Sequence, residues 1–206
     1  MAAPIPDDDE LPEMTPRLGD YRFPADLWPP GALDAALSPA RLARLRAAVS
    51  APGGGPVVAY SPSWDQATSL PDVAPDLVIS QAVLEHVDDL PGTYRALARW
   101  LRPGGAMSHA IDFRCHNMVR VWNGHWAVPD PLWRLVRGRR RYLLNREPCS
   151  RHLALLERHG FGEIRVDRYT LPSALSHHDL AARFRGLSAD DLTTGMATVQ
   201  SRRLPE

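Results

Sequence analysis

The sequence predicts an α/β fold organised around two parallel strands and the helix between them. Three observations carry that prediction. Leu77-Val78-Ile79 is a short apolar run, the pattern of a strand covered on both faces. Tyr94, Leu97, Ala98 and Leu101 follow at the i, i+3, i+4, i+7 spacing of an amphipathic helix. Leu101-Arg102-Pro103-Gly104-Gly105 then stops that helix, since proline cannot continue it and glycine accepts the left-handed turn beyond it. A second strand, Ala106 to Phe113, comes next. A helix between two strands returns the chain to the edge it left, so the strands run parallel.

The other elements follow in order. Residues 1–16 hold acids and prolines with little to bury, the composition of a disordered tail, which leaves 17–206 as the folded domain. Ser38-Pro39 opens a helix, a capping hydroxyl followed by proline at the first helical position, with Leu42, Leu45 and Val49 on its apolar stripe. Pro52-Gly53-Gly54-Gly55-Pro56 is a linker; a phosphate-cradling loop would lie after a strand and open a helix, whereas these glycines precede the strand-like Val57-Val58-Ala59-Tyr60. The region after Phe113 is irregular and long for a connection, which points to function. It gathers Trp122, Trp126 and Trp133 with His116, His125 and Asn117. Arg137-Gly138-Arg139-Arg140-Arg141 is a solvated turn or a site for an anionic substrate. A helix from Ser150 to His159, a strand over 162–170, a short amphipathic helix from Asp179 to Leu187 and a last strand over 193–201 complete the chain.

Bulk composition narrows the function classes. A chain of 206 residues with 44% hydrophobic and 23% charged content can bury a core. Its formal net charge of zero gives no drive toward nucleic acid or membrane, and no apolar run reaches spanning length. All 24 basic side chains are arginines, so lysine chemistry, Schiff bases included, is excluded. Cys115 and Cys149 make no disulfide framework, and a reducing cytoplasm is the expected setting. Cys115-His116, Cys149-Ser150-Arg151-His152 and His177-His178 match no ligand spacing, so no metal site is expected.

Leu84-Glu85-His86, followed at this distance by Leu101-Arg102-Pro103-Gly104-Gly105, resembles the second half of the class I S-adenosylmethionine-dependent methyltransferases, over residues 57–202. Ser108 to Phe113 and Ala182 to Ser188 are similar to one bacterial subgroup of them. The resemblance implies a Rossmann-like methyltransferase sheet in the strand order 3-2-1-4-5-7-6, mostly parallel with an antiparallel last strand. It implies S-adenosylmethionine as cofactor and a small-molecule or glycan-type acceptor. Asp65 matches the position whose carboxylate accepts from the adenine amino group, with Gln66 beside it; as a residue near a proline, Asp65 is equally a turn former. Ser80, Gln81 and His86 fall where the fourth family strand ends against the cofactor.

The fold is N-terminally abbreviated: no G-x-G precedes a helix, so the first family strand and its glycine loop have no counterpart. Either the third family strand then pairs directly with the fourth, or a sheet edge stays open to a partner chain. The abbreviation also keeps two alternatives alive, a degenerate methyltransferase-like domain that binds or scaffolds without catalysis, and a fragment of a longer enzyme. Methyl transfer from a sulfonium needs an acceptor held in line and sometimes deprotonated. His109 and Asp112 interrupt an apolar strand near its carboxyl end, where such sheets place ligands, and are the candidate catalytic residues, with a cap or brace for the following loop as the alternative for Asp112.

Overall fold

The computed structural model describes residues 29–50 and 74–205. The expectations for residues 1–16, for the strand near 57–60 and for Asp65 and Gln66 lie outside that set. The chain forms two compact units. Among the described residues the first unit contains α1 (Ala32–Ala36) and α2 (Pro39–Ser50). Pro39 stands at the first position of α2, as the Ser38-Pro39 signal predicts.

The second unit is built on a four-stranded sheet: β1 (Leu77–Gln81), β2 (Ala106–Asp112), β3 (Phe161–Thr170) and β4 (Thr194–Arg203), in the order β1-β2-β4-β3. β1 and β2 are parallel, with Val78 opposite Met107 and Ser80 opposite His109. β4 is antiparallel to both β2 and β3. This is the 4-5-7-6 segment of the order the resemblance implies, with the last strand reversed as expected. The expectation of a mostly parallel sheet needs correction: among the described strands only β1 and β2 pair in parallel, because β4 inserts between β2 and β3.

The strands are joined and covered by α3 (Leu90–Trp100), α4 (Asp130–Arg137), α5 (Cys149–Arg158) and the short α6 (Ala189–Thr193). α3 starts where the Asp89 carboxylate accepts from the Gly92 amide at 2.9 Å, satisfying one of the donors a helix start leaves free. Its end follows the sequence signal closely. Gly104 turns at φ 75, and a Cβ on Gly105 would lie 2.8 Å from Leu101 Cγ. Leu101 itself is fully buried.

Period-2 alternation puts Met107, His109 and Ile111 of β2 and Ala197, Val199 and Ser201 of β4 on one buried face. Tyr94 and Leu97 of α3 and Leu155 and Leu156 of α5 belong to the same core. Tyr94 Oη and His152 Nδ1 are hydrogen bonded at 3.0 Å, tying α3 to α5. The opposite face is more open. Leu77 is 54% and Ile79 73% exposed, so among the described residues β1 is not the doubly covered strand its apolar run suggests. Among the described residues one helical layer packs on the sheet, and it takes only alternate side chains of β1. The helix expected over 179–187 is instead two 3₁₀ turns, His177–Asp179 and Ala182–Phe184. The helical turn α6 begins only after Ser188, whose Oγ accepts from the Asp191 amide.

The irregular region after β2 folds around tryptophan. Trp126 is completely buried and donates from Nε1 to the Arg146 carbonyl at 3.0 Å. Trp122 donates to Pro172 O, and the Arg146 guanidinium lies over the Trp133 ring at 4.5 Å. Cys115 and Cys149 are free thiols, both buried.

Candidate active site at the strand tips

The parallel pair brings two carboxyl ends together. After Gln81 the chain turns sharply through Ala82, at φ 51. The turn is held by the Ala82 amide donating to Ala110 O of β2. Leu84–His86 then forms one 3₁₀ turn, with Leu84 and Glu85 buried. The segment before α5 is stitched onto that turn: Asn145 Nδ2 donates to Leu84 O at 2.7 Å and to Val87 O at 3.1 Å, and the Asn145 amide donates to Glu85 O. β2 ends at Asp112, whose carboxylate accepts from the Arg114 amide and guanidinium at 2.8–3.0 Å. Asp112 Oδ2 also lies 3.3 Å from His116 Nε2.

Glu85 is the feature that sequence reading missed. It is 3% exposed, and neither carboxylate oxygen has a hydrogen-bond partner among the described residues. Burial, reinforced by the negative charge of Asp112, outweighs the backbone amides of Glu85 and Asp112 and pushes its pKa up to about 7. Asp112 goes the other way. Burial works against its charge, but the hydrogen bonds and charge of Arg114 prevail and hold its pKa below the usual carboxylate value. Two neighbouring acids with opposed shifts divide into an ionised group and one that exchanges a proton near neutrality. The signal in the sequence was the acid itself, placed just past a parallel strand; what was invisible is how deeply the fold buries it.

The predicted site residues separate by strand face. Ser80 Oγ and His109 Nδ1 are hydrogen bonded at 2.8 Å, and His109 is 1% exposed beneath the helical layer. Burial lowers its pKa to about 4, so the ring is neutral at physiological pH. Asp112 sits on the other side of the pleat with His116, His86 and Glu85 near it. The structure therefore brings Ser80 to His109 and Asp112 to the histidines, but does not bring His109 to Asp112. Gln81 is exposed at the end of β1, and the His86 ring meets His116 edge-on at 5.2 Å between centroids.

Two cavities adjoin the tips. A cavity of about 10 Å³, room for one water or ion, is bounded by Glu85, Asp112, Phe113 and His125. It shares Leu144, Asn145, Arg146 and Glu147 with a neighbouring cavity of about 350 Å³. The larger one is lined by five arginines, at 134, 137, 146, 151 and 183, against three carboxylates, Asp88, Asp130 and Glu147. Ion pairs Arg137–Asp88, Arg146–Asp130 and Arg183–Glu147 fix the walls and leave an excess of positive charge. Arg137 of the basic cluster is thus a wall of this cavity as well as the end of α4.

The family model for a methyltransferase domain matches residues 33–108. It begins upstream of Val57, within α1, and ends inside β2. No curated protein matches the chain. Among solved structures, an S-adenosylmethionine-dependent methyltransferase from Mesorhizobium loti is similar at 23% identity, over 81% of this chain and 77% of that one, with a TM-score of 0.45. One from Methanosarcina mazei is similar at 14% identity, over 81% and 76%, with a TM-score of 0.44. Phosphoethanolamine N-methyltransferase 2 of Haemonchus contortus, solved with S-adenosyl-L-methionine, is similar at 15% identity with a TM-score of 0.38, over 63% of this chain. This chain spans 33% of that enzyme's length.

Proposed function

We propose that this chain, a relative of the class I S-adenosylmethionine-dependent methyltransferases, binds S-adenosylmethionine across the carboxyl tips of β1 and β2 and delivers its methyl group to a small polar acceptor. S-adenosylmethionine is the cofactor this relationship carries, and it supplies an electrophilic methyl on a sulfonium. The observation that supports the reading most is the strand–helix–strand unit. Its strands pair in parallel, and its tips hold an exposed Gln81 carboxamide and a sharply turned backbone at Ala82. Those groups suit the hydroxyls and amino groups of a nucleoside.

In this reading Gln81 contacts the cofactor directly, and Asp65 with Gln66 meets the adenine. Ser80 acts through position: its bond to His109 fixes the end of β1 against β2. His109 is a positioning residue too, because a buried neutral imidazole bonded to Ser80 is set to hold the strand end. Asp112, ionised and clamped by Arg114, orients the polar end of the acceptor. The cavity of about 350 Å³ is the acceptor site, and its excess of arginine favours an acceptor carrying an anionic group. A glycan-type acceptor fits only in that form.

Isothermal titration of the full chain with S-adenosylmethionine tests the proposal. Micromolar binding, weakened by Asp65→Ala and by Gln81→Ala, supports it; no heat of binding rejects it. A second reading, a methyltransferase-like domain that binds without turnover, is favoured by the lack of a glycine loop before any helix in the sequence. Binding with no methyl transfer to any anionic acceptor in a panel would select it.

A further inference from the structure

Three ligand-type side chains converge beside the acceptor cavity. One ligand atom each from Glu85, His86 and His116 lie within 4.8 Å of one another. A carboxylate buried at 3% exposure with both oxygens unpartnered is costly unless something positive or protic meets it. His86 Nδ1 is likewise buried without a hydrogen bond. Both histidines are also flanked by oxygen-bearing groups. Asp112 Oδ2 stands 3.3 Å from His116 Nε2, and the Tyr142 backbone interacts with the His86 ring. A carboxylate or carbonyl behind an imidazole fixes its tautomer and turns the remaining lone pair outward, the arrangement that supports metal-bound histidines.

We propose that Glu85, His86 and His116 form a binding site for one divalent transition-metal ion of the zinc type. Two imidazoles and one carboxylate suit zinc and its neighbours better than magnesium or calcium, which prefer oxygen ligands throughout. Metal–ligand distances of about 2.0–2.2 Å set the spacing the three ligand atoms must meet, and side-chain rotation of the partly exposed His116 can adjust it. Three protein ligands leave a coordination position open. Glu85 also bounds the small cavity that shares walls with the larger one. Sequence spacing could not show this site, because His116 reaches the Glu85-His86 pair only through the pairing of β2 with β1. The assignment is independent of methyl transfer; it concerns these three side chains alone.

The test uses the full chain, stripped of metal with a chelator that is then removed. Zinc is titrated calorimetrically, and cobalt(II) is titrated by visible absorption, where its d–d bands report the ligand set. The expected result is one ion per chain without S-adenosylmethionine present. Glu85→Gln and His116→Asn should each weaken binding by at least ~10-fold while circular dichroism is unchanged. Asparagine is chosen at 116 because that residue sits at φ 49, which asparagine tolerates. The exposed pair His177-His178 is the control for adventitious binding, and His177→Ala/His178→Ala should bind like the parent. Absence of binding overturns the proposal. So does equal affinity in His116→Asn, or a loss that tracks the His177/His178 variant instead.

Discussion

His109 shows how a polar residue inside a sheet can matter by staying neutral. Its pKa is lowered to about 4 from an ordinary 6.5 because charging it would place an ion in the core. The unfolded chain therefore takes up the proton first as pH falls. Stability from this group is complete above pH 6.5, declines between 6.5 and 4, and levels off below. Order-of-magnitude linkage gives up to about 3 kcal/mol lost over that window. A His109→Gln variant should lack this share of the acid lability, so urea unfolding of the two proteins at pH 7 and pH 4 should show parent stability falling more steeply. Parallel curves would mean the ring is solvated or already protonated. Trp126 is the complementary apolar case. It is completely buried with its indole nitrogen satisfied by Arg146 O, so Trp126→Ala should cost about 3–5 kcal/mol in the same assay.

At the scale of elements, the α3 start concentrates several signals in a few atoms. Asp89 caps the Gly92 amide, and a Cβ on Gly92 would sit 2.1 Å from Asp89 Oδ2. Asp89→Ala should cost about 1 kcal/mol, and Gly92→Ala a comparable amount by pushing the cap aside despite alanine's better helix propensity. A Gly92→Ala variant more stable than the parent would show that the cap simply relocates. This helix was legible in the sequence because its stripe, its stop and its flanking strands are all local. The same holds for α5; for α2 the Ser38-Pro39 start was legible, but Val49 of its expected stripe is 69% exposed. What misled was any inference that depended on neighbours. The apolar run of β1 does not report that Leu77 and Ile79 face away from the helical layer. The 179–187 segment has helical composition, but its turns break where the Ala181 amide leaves the helix to donate to Trp126 O. At the site, Ser80, Asp112 and the histidines were visible as residue types, whereas the pairing of His109 with Ser80 and the deep burial of Glu85 arise from strand register and packing.

For the whole molecule, ligand linkage provides the broadest measurement. A ligand that binds only the folded chain at 100 times its Kd adds about 2.7 kcal/mol of stability. For a chain of this size that is a rise in Tm of roughly 5–10 °C. If S-adenosylmethionine seats on the carboxyl tips of β1 and β2, amide exchange should slow most over residues 82–87 and 112–117. Exchange over β3 and α5 should slow only through the global gain. β3 is the strand farthest from β1 in the sheet order, so the two regions make an internal contrast within one sample. Equal slowing everywhere, with a rise in Tm, would indicate binding away from the tips. A rise in Tm with protection confined to β3 and β4 would place the ligand on the other end of the sheet and remove Gln81 and Asp112 from the cofactor and acceptor roles assigned to them.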